Sequence, residues 1–416
     1  MANRRKYTII FALFVSIALI AMTIAIINHK TSNATISPYN IVGLDNSGDE
    51  ISLPIDIQGE YAYFENDALD NTKLCYETQY SRNEFYVIYV DCNDVVFDSS
   101  STITLLTSNK SDINAERVFS PTNISQHTEL KQIVKSDAQG RIKFDIVFSN
   151  VKKAGVHVNI KPITEDEEYW LLSSKDNSVR MVFLSSDIVK SGLESTTISN
   201  WIDKYYSIRS DFLSLSGERE PYCGTTDYVL TEKFDFLGLA GDPIYINQNC
   251  VGEMLTTINS NLTDNTDLSW ELVHEMSHTF DGIEGSNIDD IWNFDSEFFA
   301  NLKMVYVLDK NAYYSEASFN DYVRTLESMN TLDNGVYTSQ GFTYLFLSTI
   351  RKIDGNYQEH IRNLFKTMIN DFNSNGINEN QFSMFESAFL EEYGVPLQSF
   401  LTEKEYDTLK SKYYSN

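Results

Sequence analysis

The chain has 416 residues, and acidic residues outnumber basic ones by 59 to 32, which gives a formal net charge of −27. An acidic balance this strong repels nucleic acid and anionic lipid, so we exclude a polynucleotide-binding function. The length exceeds that of one average domain and predicts two or three. Hydrophobic residues make up 42% of the chain, which is enough for a sizeable core and excludes wholesale disorder.

The N-terminus predicts that the rest of the chain is exported. Basic residues at positions 4–6 precede an uncharged apolar run over residues 7–27, which is close to the roughly 20 residues that a membrane-spanning helix needs. The basic flank predicts that the bulk of the chain is extracellular. We favour a single-pass anchor in the cell membrane over residues 1–30, followed by a polar stalk over residues 31–40. A cleaved signal peptide, which would make the protein secreted, is the alternative.

The next part of the chain has the pattern of β structure. Over residues 41–165, short runs of β-branched and aromatic residues, such as residues 85–90 and 142–148, alternate with polar, turn-rich stretches. Several short strands at this spacing predict a β-sandwich-like domain. Its role stays open between a spacer, which we favour, and a carbohydrate-binding module.

Helical patterns dominate from residue 166 onward and predict a mainly helical domain with a small β-sheet over residues 166–416. Apolar residues recur at helical intervals over residues 198–215, and strand-like stretches follow near residues 227–231 and 244–246. A capping-box motif that begins at Thr402 predicts the start of the last helix. The fold class of the whole chain is therefore predicted to be α+β.

Four cysteines permit two disulfides in an oxidising compartment. Their order in the sequence suggests the pairs Cys75–Cys92 and Cys223–Cys250. Three connectivities are open, and four buried thiols are the alternative. The chain contains no Cys-x-x-Cys motif, which argues against a thiolate zinc site.

The segment His274-Glu275-Met276-Ser277-His278 matches the pattern His-Glu-x-x-His. Residues four apart lie on one face of a helix, so His274 and His278 can bind one metal ion together. Glu275 lies alongside them and is the predicted catalytic base. The alternative is a helix with two unrelated surface histidines.

A catalytic zinc site needs a third protein ligand and one open position. We predict Glu297 as this ligand, because it lies 19 positions after His278 in a second helix that is expected to begin near Asp289 or Asp290. Both aspartates and Asp295 are rivals for the role. They lie nearer the predicted helix start, where an acidic residue more often caps the helix.

These residue types predict a peptide hydrolase with one Zn2+ per chain, in which Glu275 passes a proton from water to the departing amine. Asn301 lies one turn after Glu297 and either hydrogen-bonds a metal ligand or is ordinary helix polarity. The transition-state stabiliser is unknown from the sequence. Its candidates, each of which also has a structural interpretation, are Tyr337, Tyr344, Tyr357 and His360.

With Glu297 added, the pattern resembles the gluzincins, and within them the enhancin-type zinc metallopeptidases, which include bacterial mucin-degrading enzymes. The resemblance covers about residues 195–375. Beyond the metal motif it includes a helix with residues 201–205, a stretch over residues 238–244 similar to a Gly-x-Pro-Ile segment of that family, and a later helix pair. Only the metal motif is specific. The resemblance implies endopeptidase cleavage of extracellular glycoproteins, often with mucin-type O-glycans.

Two other functions stay open. The interval from His278 to Glu297 is also similar to that of the zinc aminopeptidases, but residues 252–254 do not match the strand with which those enzymes grip a substrate amine. A non-catalytic surface adhesin that keeps the peptidase fold would have no need of Glu275, so the complete motif favours an enzyme. The expected partners are a protein or glycoprotein substrate and, through the N-terminal helix, a membrane.

Overall fold

The computed structural model describes residues 40–44, 56–58, 61–65, 72–108, 116–119, 125–220, 224–231, 237–247, 251, 255, 268, 270–280, 294–312, 319–329, 331–333, 335–353, 355–375 and 380–414. Predictions that lie outside these residues concern the anchor over residues 1–30, the stalk up to residue 39, Cys223, Cys250, Asp289 and Asp290. Within the described part of the chain, no helix has the length and apolar character needed to cross a membrane.

The first part of the chain forms an eight-stranded sheet whose strands pair in antiparallel fashion. Five strands lie in the order β1-β4-β8-β3-β2, in which β8 pairs with β4 and β3. Outside this order, β5 pairs with β8, β7 and β6. The strands are β1 (Asn40–Leu44), β2 (Asp56–Gln58), β3 (Tyr61–Glu65), β4 (Thr72–Gln79), β5 (Phe85–Ser108), β6 (Glu116–Phe119), β7 (Thr128–Lys135) and β8 (Arg141–Pro162).

The prediction of several short strands is wrong for β5 and β8, which have 24 and 22 residues. Irregular pairing between residues 93 and 102 lets β5 continue through a polar stretch that the sequence pattern would assign to a turn. β-bulges bend a strand without ending it. Inward-facing side chains from both parts of the strand, such as Ile88 and Leu105, therefore share one apolar core.

The predicted Cys75–Cys92 disulfide is wrong, because these two cysteines are not joined to each other. Cys75 lies opposite Asp145 on β8, whereas Cys92 lies opposite Val156 of the same strand. Val156 lies eleven positions after Asp145 along β8, a separation far beyond the ~7 Å that a disulfide spans between Cα atoms.

A mixed five-stranded sheet follows, in the order β12-β13-β11-β10-β9. The three central strands, β10, β11 and β13, are parallel, whereas the edge strands β9 and β12 are antiparallel to their neighbours. The strands are β9 (Tyr169–Ser173), β10 (Val179–Leu184), β11 (Thr226–Thr231), β12 (Gly238–Leu239) and β13 (Ile244–Asn247). Two of them confirm the strands predicted near residues 227–231 and 244–246.

Two helices lie between β10 and β11, and helices make up most of the described chain after this sheet. The mixed helical and sheet architecture agrees with the predicted α+β class. A hairpin of β14 (Leu332–Asp333) and β15 (Val336–Tyr337) interrupts them. The capping box predicted at Thr402 is present. The α-helices are α1 (Ser185–Ser191), α2 (Ser195–Leu215), α3 (Trp270–Thr279), α4 (Ser296–Asn311), α5 (Phe319–Ser328), α6 (Ser339–Ile353), α7 (Tyr357–Asn375), α8 (Gln381–Tyr393) and α9 (Glu403–Tyr413).

The five-stranded sheet lies between the helices and the first sheet. On one face, side chains such as Tyr228 and Ile244 join the core of the helical part. On the other face, Val229 and Tyr245 pack against side chains of the first sheet. We call this second group the junction core: Phe85, Val87, Ile133, Ile163, Tyr169, Val182, Leu184, Val229 and Tyr245.

Candidate metal centre

α3 places two imidazole rings side by side. Its apolar residues Leu272, Val273 and Met276 are fully buried against the helical core, which turns the opposite side of the helix toward the site. His274 and His278 lie one turn apart on that side, and their Nε2 atoms are 3.2 Å apart. The helical spacing of the sequence motif is therefore realised.

The helix that carries Glu297 begins later than the sequence suggested. Asp295 caps α4 by accepting a hydrogen bond from the backbone N–H of Phe298 through Oδ1, at 3.0 Å. Because this cap sets the helix start, Glu297 falls in the first turn, where it faces α3. Asp295 serves as a cap and not as a metal ligand.

The Glu297 carboxylate completes a triangle of metal-binding side chains, with one carboxylate oxygen beside each imidazole ring. Its Oε2 lies 3.2 Å from His274 Nε2, and its Oε1 lies 3.3 Å from His278 Nε2. Hydrogen bonding with the His274 ring, and then with the His278 ring, lowers the pKa of Glu297 below its usual range. The carboxylate is therefore ionised at neutral pH.

The triangle fits a tetrahedral zinc ion. Zinc binds histidine nitrogen and carboxylate oxygen at about 2.0–2.2 Å, so neighbouring ligand atoms of a tetrahedron lie about 3.3–3.5 Å apart. The two imidazole Nε2 atoms are 3.2 Å apart, and each lies 3.2 or 3.3 Å from a different oxygen of Glu297, which is close to this spacing. With one ligand atom taken from each residue, all three atoms lie within 4.8 Å of one another. Two imidazole nitrogens and one carboxylate form a donor set that zinc binds in catalytic sites. The Glu297 side chain is 48% exposed, so a substrate can approach from its side.

Glu275 lies in a close-fitting position beside the triangle. A Cβ atom at Gly238 would come within 2.6 Å of the Glu275 side chain, so β12 packs directly against this carboxyl group. The backbone N–H of Ala240 donates a hydrogen bond to it. Burial raises the pKa of Glu275 above its ordinary value, and the nearby histidines act in the opposite direction.

Of the two alternatives for Asn301, a hydrogen bond to a metal ligand is not seen among the described residues. Asn301 is buried in α4, but it donates no hydrogen bond to the site among the described residues. His274 Nδ1 is likewise buried without a partner there. The link between the two ligand-bearing helices comes instead from Lys303, whose Nζ donates to the backbone oxygen of Ser277 at 2.8 Å. A buried lysine was not expected from the sequence.

The candidates for the transition-state stabiliser have other partners. The Tyr357 hydroxyl donates to Asp309, and His360 Nδ1 lies 2.6 Å from Glu392. The remaining two pack, partly buried, against the helical core: Tyr337 and Tyr344.

Two aromatic residues near the ligands were missed in the sequence. Trp270, one turn before His274, is 38% exposed, and its ring lies 6.3 Å from that of His274. Its spacing of four from His274 was the signal that could have identified it. Tyr322 lies within electrostatic reach of Glu297: burial and then this charge raise the pKa of its phenol. No local pattern marks Tyr322, because α5 meets the site only through tertiary packing.

No family model and no curated protein sequence matches the chain. Among solved structures, the chain is similar to a metallopeptidase from Bacteroides thetaiotaomicron (12% identity, TM-score 0.36), covering 76% of this chain and 57% of that one. It is also similar to the M60 catalytic domain with the CBM51-1 and CBM51-2 domains from Clostridium perfringens ZmpB (13% identity, TM-score 0.34), covering 81% of this chain and 39% of that one. TmCBM61 in complex with β-1,4-galactotriose matches 30% of this chain and 89% of its own length at 12% identity and a TM-score of 0.22. The chain thus spans less than two thirds of either peptidase, and likeness at this level does not transfer an activity.

Proposed function

We propose that the protein is a zinc-dependent endopeptidase that hydrolyses extracellular proteins. The observation that carries this proposal is the triangle of His274, His278 and Glu297 with the Glu275 carboxyl group beside it. Three ligands leave one tetrahedral position open, which is the arrangement of a catalytic zinc site and not of a structural one.

The residues of the site have separate tasks in this proposal. Zinc, when bound, supplies a Lewis acid that polarises a carbonyl and lowers the pKa of water. Glu275 takes the proton from the attacking water and delivers it to the departing amine. The N–H of Ala240 and the close wall formed by Gly238 restrict the Glu275 carboxylate to one position, which lowers the cost of orienting it for each turnover.

The substrate strand has a natural place along β12. This edge strand pairs with β13 on one side only, and no other strand pairs with it among the described residues. An extended peptide can add to such an edge through backbone hydrogen bonds. Exposed apolar side chains, Leu237 and Trp270, lie next to β12 and to His274 and are suited to contact substrate side chains.

The substrate class and location are further parts of the proposal. The resemblance to enhancin-type peptidases favours glycoproteins, including mucin-like ones with O-glycans. The predicted N-terminal anchor or signal would place the site outside the cell, where such substrates occur.

The first test compares metal content and turnover in matched variants. We expect about one zinc per chain in the purified protein and in His127→Ala, a histidine immediately before β7, but little in His278→Ala. Glu275→Gln should keep zinc and lose about 10²–10⁴-fold in turnover, the range of general acid–base catalysis. Glu271→Gln, on the same helix, should keep both. Full turnover by Glu275→Gln would refute the mechanism.

The same assay separates the alternatives. Internally quenched peptides with acetylated N-termini should be cleaved, because an endopeptidase needs no free amine. Cleavage of only unblocked peptides would indicate an aminopeptidase. A zinc-loaded protein that binds a glycoprotein but shows no chelator-sensitive turnover would indicate an adhesin.

A further inference from the structure

The contact between the two sheets contains a buried group of charges that the proposed chemistry does not use. We call it the junction ion cluster: Lys135, Arg180, Asp227 and Asp242. Lys135 Nζ lies 2.5 Å from Asp227 Oδ2 and 2.5 Å from Asp242 Oδ1, and its side chain is only 1% exposed. Arg180 Nε lies 2.7 Å from Asp227 Oδ1. Two cations thus balance two carboxylates in the interior, where removing one partner of an ion pair is strongly destabilising.

The cluster connects the first sheet to the loop beside the candidate metal centre. Lys135 is the last residue of β7, whereas Asp242 follows β12 and lies two residues after Ala240. Ile133 lies on the same side of β7 as Lys135, and its carbonyl accepts a hydrogen bond from the Tyr245 hydroxyl at 2.9 Å. β7 therefore contacts the β12–β13 turn through the Lys135 side chain and β13 through the Ile133 carbonyl oxygen.

The position of β12 depends on these contacts because the strand is short. Its ladder with β13 contains only two residue pairs. Leu239 packs against the junction core, while its neighbours Gly238 and Ala240 contact Glu275. A shift of β12 by a fraction of an ångström would change both the wall and the hydrogen bond that hold this carboxyl group.

We propose that Lys135 is a positioning residue for Glu275: through Asp242 it holds the Gly238–Ala240 segment against the catalytic carboxyl group. The first sheet is then a working part of the catalytic site and not a spacer. The expected effect on kcat rests on the proposed peptidase activity, whereas the expected effect on the position of the Gly238–Ala240 segment does not.

The test uses the full chain with Asp242→Asn. The Asp242 side chain is 19% exposed and Lys135 keeps its contact with Asp227, so this variant is expected to fold. We expect the Ala240 amide to exchange its hydrogen faster than in the wild type. We also expect kcat to fall by on the order of 10-fold, the scale of a small misplacement, with zinc content unchanged. The control is Lys131→Met on the same strand, where a 39% exposed lysine contacts Glu168 at 2.5 Å; exchange and kcat should not change.

A double-mutant cycle tests whether the effect passes through the contact itself. If it does, Lys135→Met combined with Asp242→Asn should lower kcat no further than the more damaging single variant. Unchanged kcat in Asp242→Asn, measured beside an active wild type, overturns the positioning role and leaves the proposed function standing. An inactive wild type refutes the proposed function, and amide exchange then decides alone: faster exchange at Ala240 supports the role, and unchanged exchange overturns it.

Discussion

Gly238 is the residue whose lack of a side chain matters most at the site. Its backbone is not in the left-handed region, so glycine is required here only because a larger side chain would collide with its neighbours. In Gly238→Ala the new Cβ would meet Cγ and Oε1 of Glu275 at 2.6 Å, and the flexible glutamate would have to move. We expect normal folding and zinc content with a loss of about 10²-fold in kcat, measured with a quenched peptide. Gly355→Ala, where a Cβ meets nothing within 4 Å, should be silent; equal losses in both variants would contradict this explanation.

Single residues were predictable from the sequence where their partners are close along the chain. The side-by-side placement of His274 and His278 follows from a helical spacing of four. Glu297 was expected in a second helix, but that helix begins at Ser296 and not near Asp289 or Asp290. Contacts that close only in the tertiary structure, such as Lys303 with Ser277 or Gly238 with Glu275, leave no periodic pattern.

At the scale of elements, Asp295 connects the C-terminal helix to the metal centre. Its Oδ2 accepts hydrogen bonds from Ser339 at 3.0 Å, from Lys412 at 2.9 Å and from the Tyr413 hydroxyl. Its Oδ1 caps α4 two residues before Glu297. One buried carboxylate thus holds α6 and α9 against the first turn of α4.

Replacing Asp295 should therefore weaken both the fold and metal binding. In Asp295→Ala we expect a loss of about 2–4 kcal/mol in the free energy of unfolding, because the cap and the pair with Lys412 are both lost. Zinc affinity, measured by chelator competition, should fall as well. Asn380→Ala removes the cap of α8 and a hydrogen bond to the Tyr413 carbonyl oxygen on α9, and it should cost about 1–2 kcal/mol without changing zinc affinity. A metal affinity unchanged in Asp295→Ala would show that Glu297 is oriented without this contact.

Elements were predictable where a local pattern decides them. The helix over residues 195–215 and the capping box at Thr402 agree with the expectation, because periodicity and capping act within a few residues. The lengths of β5 and β8 differ from the expectation, because both strands continue through bulges at polar residues such as Asp94 and Asn150, which have positive φ angles. The Cys75–Cys92 pairing was wrong because these two cysteines, although consecutive in the order of cysteines along the chain, lie opposite distant parts of β8.

At the scale of the whole molecule, the junction ion cluster makes stability depend on pH. Burial alone would raise the pKa of Asp227, but Lys135 and Arg180 lower it below its ordinary value of 3.8. A lowered folded-state pKa stabilises the fold above the unfolded-state value, and this contribution disappears as pH falls through the folded-state pKa.

The contribution can be measured with Asp227→Asn. In urea unfolding, the variant should be less stable than the wild type at pH 7, and the difference should narrow as the pH falls below about 4. Asp176→Asn serves as a comparison, because its carboxylate has a lowered pKa through hydrogen bonds within its own turn and lies outside the junction. A difference for Asp227→Asn that grows toward acid would contradict the assigned charge state.

Under the proposed function, the open edge of β12 also limits which chains are cleaved. A substrate segment that pairs with this edge must be unfolded and extended. It must also place a backbone N–H opposite each carbonyl that β12 presents at the edge. Proline has no N–H and is tolerated only at positions that face away from the edge. We therefore expect cleavage in unfolded segments between folded domains, within short stretches that contain no proline. Compact globular proteins should be cleaved only after partial unfolding.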